Sequence, residues 1–181
     1  VEKEEIISII KDKGIVGLGG ATFPTHVKYM IPKDKKAEYL IINAVECEPM
    51  LTADHRLMLE KGEETLIGVK ILMKALDVNK ALIGIEANKM DAYNHLKTLS
   101  QKFEGIEVHA LKVMYPQGAE KQLINSLLNR EVPSGKLPIE VGCVVNNFGT
   151  AYAVYEAVQK NKPLIERVVT VTGIQLKNPS N

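Results

Sequence analysis

Four short apolar runs, each followed by a stretch with helical periodicity, set the order of this sequence and narrow what it can fold into. Tyr39 to Ala44 is uninterrupted by charge, the pattern of a strand buried on both faces. Ala81 to Ile85, Ile106 to Val113 and Gly142 to Asn146 repeat that reading. Between and after them lie helical segments over Thr52 to Leu59, Gly62 to Leu76, Asp91 to Phe103, Gly118 to Asn129 and Thr150 to Lys160. In the second of these, Leu66, Val69, Leu72, Met73 and Leu76 share one face. A further short helix over Glu2 to Asp12 opens the chain and stops at Gly14. Strand alternating with helix predicts an α/β fold, a Rossmann-like, mostly parallel sheet with helices on both faces. In such sheets ligands bind beyond the carboxyl ends of the strands. The residues that leave those ends are therefore the candidates for chemistry.

Composition removes several functional classes. A net charge of +1 over 181 residues lacks the basic footprint of a non-specific nucleic-acid binder. Two cysteines, Cys47 and Cys143, supply neither a disulfide framework nor a cluster site. The four histidines are scattered without ligand spacing, so no metal site is expected. No window approaches the roughly 18 apolar residues of a membrane span; Lys70 and Lys74 interrupt the best one. The first residue is not Met, and Arg167 to Gly173 is strand-like close to the end, followed by Asn178 to Asn181. A final strand needs a partner. The expectation is that residues 1–165 form the nucleotide-binding domain and 166–181 begin a truncated, small β-rich domain of a longer protein.

Four polar or glycine-rich segments fall where the topology directs attention. Gly17-Leu18-Gly19-Gly20-Ala21-Thr22-Phe23-Pro24-Thr25, with Lys28 just beyond, can bring backbone N–H groups and a cation to a phosphate. It is neither a dinucleotide fingerprint, since Thr22 replaces the third glycine, nor a Walker loop. Asn43, Glu46, Cys47 and Glu48 leave the first strand within six residues. In an extended chain the two glutamates share a face. Tyr115, Gly118 and Glu120 follow the third strand, with Gly118 at the helix start. Asn146 and Asn147 leave the fourth, where two side-chain amides offer both donors and acceptors, and Thr150 follows as a helix cap. Each segment alone also reads as a turn or cap. Their convergence on one rim points to a nucleotide or flavin site.

In order along the chain, Gly-Leu-Gly-Gly-Ala-Thr-Phe-Pro-Thr, Asn-Ala-Val-Glu-Cys-Glu-Pro, Tyr-Pro-Gln-Gly-Ala-Glu-Lys-Gln-Leu and Val-Asn-Asn-Phe-Gly-Thr occur here. Pro-Leu-Ile-Glu-Arg-Val-Val-Thr-Val-Thr-Gly follows them. This set resembles the C subunit of bacterial Rnf electron-transport complexes, or a close relative of it. More distantly it is similar to the FMN-binding flavoprotein subunit of respiratory NADH dehydrogenase (complex I). The resemblance covers nearly the whole chain. It implies FMN as cofactor, NADH as substrate, and hydride transfer between them. It also implies 4Fe-4S clusters in a missing C-terminal part, because full-length members carry ferredoxin-type motifs beyond an extra β-rich domain of the SLBB type. Under it, Gly17, Gly19, Gly20, Lys28, Asn43, Glu46, Cys47, Tyr115, Gly118, Asn146, Asn147 and Thr150 would hold FMN. Phe23, Glu48, Glu120 and, more loosely, Lys136 would serve NADH. No side-chain acid or base is required for the hydride step, so no catalytic residue is assigned.

Partners under this resemblance are the other subunits of a membrane Rnf-type complex, or a soluble reductase. The location it implies is cytoplasmic, peripheral on the inner face of the cell membrane through those subunits. The chain departs from the NADH-dehydrogenase pattern at Thr22, Val45, Cys47 and Ala119, several of these being differences that the Rnf-type branch shares. Two other classes remain at this point: a docking module that keeps the fold with a degenerate pocket, and a conventional NAD-dependent dehydrogenase.

Overall fold

The structure, a computed structural model, describes residues 2–177; of the terminal segment, Asn178 to Asn181 lie outside the described residues. A four-stranded parallel sheet runs in the order β3-β2-β1-β4, with β1 Tyr39–Ala44, β2 Ala81–Glu86, β3 Ile106–Leu111 and β4 Cys143–Asn147. The chain builds β1, β2 and β3 outward in one direction and then returns to lay β4 on the other side of β1. That reversal makes the carboxyl ends of β1 and β4 the topological switch point, the place where a crevice opens in this class of fold.

Period-two alternation decides which face each strand residue serves. Leu40, Ile42 and Ala44 of β1 join the large core, shared with helices α1 (Lys3–Asp12), α3 (Ala53–Glu60), α4 (Gly62–Leu76), α5 (Met90–Ser100) and α7 (Phe148–Lys160). Ile41 and Val45 turn to a smaller core with Leu123 and Ile124 of α6 (Glu120–Leu128). The helices thus cover both faces, unevenly. The apolar face expected for α4 is buried throughout. Gly68 lets α4 lie directly on α7: a Cβ there would stand 2.0 Å from the Ala151 carbonyl oxygen.

Differences from the sequence expectations are local. A four-residue helix, α2 (Thr25–Lys28), and a short 3-10 helix, Pro138–Val141, lie in segments without helical periodicity. Helix α6 begins at Glu120 rather than Gly118, because Ala119 N–H closes a turn onto the Pro116 carbonyl. Helix α7 begins at Phe148, capped by Asn147 and not by Thr150. The strand expected over 167–173 does not form; apart from a single bridge residue at Val171 the segment is irregular. A strand needs a neighbour's ladder, and this segment instead lies against the rim. Arg167 donates to the Leu18 carbonyl at 3.1 Å, and the Thr52 N–H donates to Thr170 Oγ1 at 3.1 Å. Among the described residues no helix is long and apolar enough to cross a membrane.

Candidate flavin site at the β1–β4 switch point

The glycine-rich loop crosses the switch point and is fastened at its base. Val16 bridges Pro24, and Gly17 N–H donates to the Phe23 carbonyl at 2.8 Å. Leu18 N–H donates to Thr150 Oγ1 at 2.9 Å, so Thr150, fully buried, anchors the loop rather than capping its helix. Gly19 lies against β4's end, where an added Cβ would be 3.4 Å from the Asn147 Cβ. Gly20 has a φ of 128°, which favours glycine, and an added Cβ would face open space. Among the described residues the N–H groups of Gly19, Gly20, Ala21 and Thr22 donate to no protein acceptor. Phe23 is half exposed at the end of this run.

Lys28, on α2, reaches from beyond the loop to the same crevice. Its Nζ donates to the Val145 carbonyl at 2.8 Å and to Glu120 Oε1 at 2.7 Å. Glu120 thereby joins the rim from the first turn of α6. The β1 end is pinned to the segment before α6, with Asn43 Nδ2 donating to the Gly118 carbonyl at 2.8 Å. Gly118 is there for close approach: a Cβ would come within 3.1 Å of the Val45 carbonyl and 3.3 Å of Cys47 Sγ. Cys47 itself is a free, half-buried thiol. The charge of the nearby Glu48 carboxylate raises the Tyr115 pKa above the usual tyrosine value. The Tyr115–Pro116 peptide is cis.

Three expected residues behave differently from the simplest reading. Asn43 and Asn147 are register partners on adjacent strands, so they share a face; Asn146 pairs with Ile42 and points the other way. The Asn146 amide is accordingly buried and donates to the Tyr29 hydroxyl, whose pKa burial raises well above the usual value. Glu46 does not extend beside Glu48. Its carboxylate turns to the start of α3, accepting the N–H groups of Asp54 at 2.8 Å and His55 at 3.0 Å. Lys136 is exposed in a turn over 133–136, which Lys121 ties to α6 through the Pro133 carbonyl at 3.0 Å; among the described residues no hydrogen bond or ion pair joins its side chain to the rim.

Two rim residues carry no signal in the motifs singled out from the sequence. Lys89, after β2, is buried, donates to the Glu46 carbonyl at 3.1 Å and pairs with the Glu46 and Glu86 carboxylates at 3.6 and 3.7 Å. The rule that ligands gather at strand carboxyl ends applies to β2 as well, and would have marked it. Asp54, in the first turn of α3, accepts from Asn147 Nδ2 at 2.6 Å. In sequence its place is that of an ordinary helix start.

A parallel-sheet switch point, a glycine loop with open N–H groups and a lysine beside it are together the arrangement by which α/β domains hold anionic nucleotide-like groups. The chain belongs to the family of the Nuo51 FMN-binding domain, whose model matches residues 10–156. It is 52% identical over 180 residues to the C subunit of the proton-translocating ferredoxin:NAD(+) oxidoreductase complex of Clostridium ljungdahlii, covering 98% of this chain and 39% of that protein. The Na(+)-translocating counterpart from Acetobacterium woodii is 48% identical, over 99% of this chain and 40% of the relative. The chain thus spans about two fifths of the length of these curated relatives. Among solved structures, the NAD+-reducing NiFe-hydrogenase in its air-oxidized state superposes with a TM-score of 0.73 at 25% identity, covering 87% of this chain and 30% of that one.

The residues present fit FMN. Four unengaged N–H groups and the Lys28 ammonium suit a phosphate and electron-rich ring edges. The missing side chain at Gly20 faces open space, which leaves room for a group against the loop, while Gly19 lets the loop lie on Asn147.

Proposed function

We propose that this chain is the FMN-binding electron-entry domain of an Rnf-type oxidoreductase, the counterpart of its C subunit, exchanging a hydride with NADH. The observation that carries the reading is the glycine loop's run of free N–H groups, held across the β1–β4 switch point beside Lys28 and Asn147. FMN, when bound, accepts a hydride and passes electrons on singly.

The chain's own part is binding and orientation. Gly17, Gly19, Gly20 and Lys28 hold the cofactor from the loop side; Asn43, Cys47 and Gly118 from the β1 side; Asn147 from β4, with Thr150 of α7 acting through the loop it anchors. Glu46 and Asn146 support from behind, through the α3 start and the Tyr29 hydroxyl. Tyr115 closes the edge near Glu48. NADH is served from the exposed rim by Phe23, Glu48 and Glu120, with Lys136 brought near α6 by its turn. Holding the donor at close range is positioning work, for which no titrating side chain is needed.

Residues 1–165 constitute this unit in our reading, and 166–181 begin a β-rich domain. In our reading 4Fe-4S clusters outside residues 1–181 take the electrons, within a complex peripheral on the cytoplasmic face of the membrane. The names of the relatives, C subunits of ion-translocating ferredoxin:NAD(+) oxidoreductase complexes, support this assignment. Anaerobic stopped-flow mixing of the flavin-loaded chain with NADH tests the reaction. Bleaching of the flavin absorbance is expected. Flavin that binds and is never bleached returns the chain to a docking-module role.

A further inference from the structure

One amide at the rim is held from three directions. Asn147 Nδ2 donates to Asp54 Oδ2 at 2.6 Å, and Asn147 Oδ1 accepts the Thr150 N–H at 3.3 Å, capping α7. Its Cβ lies where Gly19 permits the loop to touch it. Gly149 allows the same crowding from behind: a Cβ there would stand 3.1 Å from Asn147 Oδ1 and 3.4 Å from Asp54 Oδ1. The Asp54 carboxylate on Nδ2 and the Thr150 N–H on Oδ1 together fix which way this amide faces, and of the two only Asp54 can change its charge.

Asp54 is enclosed by these neighbours, with an edge on a cleft of about 530 Å³ between α3, α7 and the 162–168 segment. Among the described residues no cation forms an ion pair with it. The charged groups that face it are Glu46 from β1, Lys89 from the loop after β2 and Arg167 from the C-terminal segment. Lys89 is committed to Glu46 and Glu86, and Arg167 donates to the Leu18 carbonyl. Further along the cleft, Arg56 pairs with Glu60, and Lys162 with Glu156 and Glu166. Desolvation, opposed by the Asn147 bond and reinforced by the Glu46 charge, pushes the Asp54 carboxyl up to about 6. An ionised acceptor makes a bond roughly twice as strong as a neutral one.

We propose that Asp54 is a positioning residue: its carboxylate locks the Asn147 amide on the rim, and a proton on that carboxyl loosens the amide and the rim's hold on flavin. The proposal rests on the flavin reading above. It makes flavin affinity proton-linked through a group that touches no flavin.

The test is FMN affinity, by quenching of flavin fluorescence, for the wild-type chain and Asp54→Asn across about pH 5 to about pH 8. The FMN phosphate titrates in this range, with a second pKa of about 6 for such esters. It does so identically for both proteins, so the ratio of their dissociation constants isolates Asp54. That ratio is expected to be roughly three- to tenfold at the alkaline end, falling to one at the acid end with a midpoint about 6. A ratio independent of pH overturns the proposal. Ligand-free NMR provides the second readout: the Asn147 side-chain amide resonances should shift with the same midpoint in wild type and stay fixed in Asp54→Asn. If neither protein binds FMN at any pH, the flavin reading fails. The NMR titration then decides alone whether Asp54 holds Asn147, and unmoved wild-type resonances overturn that too.

Discussion

Lys28 Nζ and Glu120 Oε1 stand 2.7 Å apart, joining the helix after the glycine-rich loop to the first turn of α6 across the mouth of the crevice. The same ammonium holds the Val145 carbonyl, so a single side chain marks where β4, the loop and α6 converge. Partly exposed ion pairs of this kind contribute about 0–1 kcal/mol to stability. Lys28→Ala should therefore melt within a few degrees of wild type while its FMN dissociation constant rises roughly tenfold or more, the loss of one charge-assisted bond. Glu120→Gln should leave FMN affinity within about threefold of wild type, since it removes only the pair. Fluorescence titration and thermal melting check both.

The Glu46 carboxylate satisfies two N–H groups at the start of α3 and pairs with buried Lys89. Glu46→Ala strips both amides of their acceptor and leaves Lys89 with the Glu86 carboxylate and the residue-46 carbonyl. Urea denaturation should show a loss of about 1–3 kcal/mol. Glu46→Gln keeps an acceptor at the helix start and should lose less.

Gly68 has no room for a side chain, with the Ala151 carbonyl oxygen 2.0 Å from where a Cβ would stand. Separating α4 from α7 disturbs the largest core. Gly68→Ala should cost about 3 kcal/mol or more, above the usual range for overpacking because the obstacle is backbone. A melting temperature equal to wild type would refute this packing.

Asp54 carries a pH signature in stability opposite to that of a salt-bridged carboxylate. Its folded pKa, about 6, lies above the ordinary 3.8, so the folded state binds the proton more tightly than the unfolded one. The ionised form is penalised in full above about pH 6, and the penalty is relieved as pH falls toward 3.8. Asp54→Asn should thus be more stable than wild type by on the order of 1–3 kcal/mol near pH 8, with the advantage shrinking on acidification. Denaturation at several pH values reads this directly.

What the sequence makes legible follows its periodicities. The bounds of β1 and α4 match the expected residues, because an uninterrupted apolar run and a long one-sided stripe each admit one reading. The parallel sense of the sheet and the rim of strand ends follow from alternation, whereas the order β3-β2-β1-β4 does not. The Asn146–Asn147 pair is legible as polar residues at a strand end, but its division between a buried tyrosine and the open rim depends on register. Asp54 is not legible, since its partner Asn147 lies 93 positions away; Lys89 is legible as a residue leaving β2, but its bond to Glu46, 43 positions away, is not. Glu46 shows the same limit: local alternation puts it beside Glu48, whereas a helix start eight residues on claims it.

The most direct measurement is an FMN titration of the chain followed by flavin fluorescence, with Gly19→Trp alongside. An indole at Gly19 would have to push the loop off Asn147, since a Cβ alone would already stand 3.4 Å from the Asn147 Cβ, and would so disrupt the rim. Wild type should show saturable quenching at one FMN per chain, and Gly19→Trp none. Flavin fluorescence that stays unquenched at saturating wild-type protein, or equal affinity in the two proteins, would contradict a flavin site at this crevice.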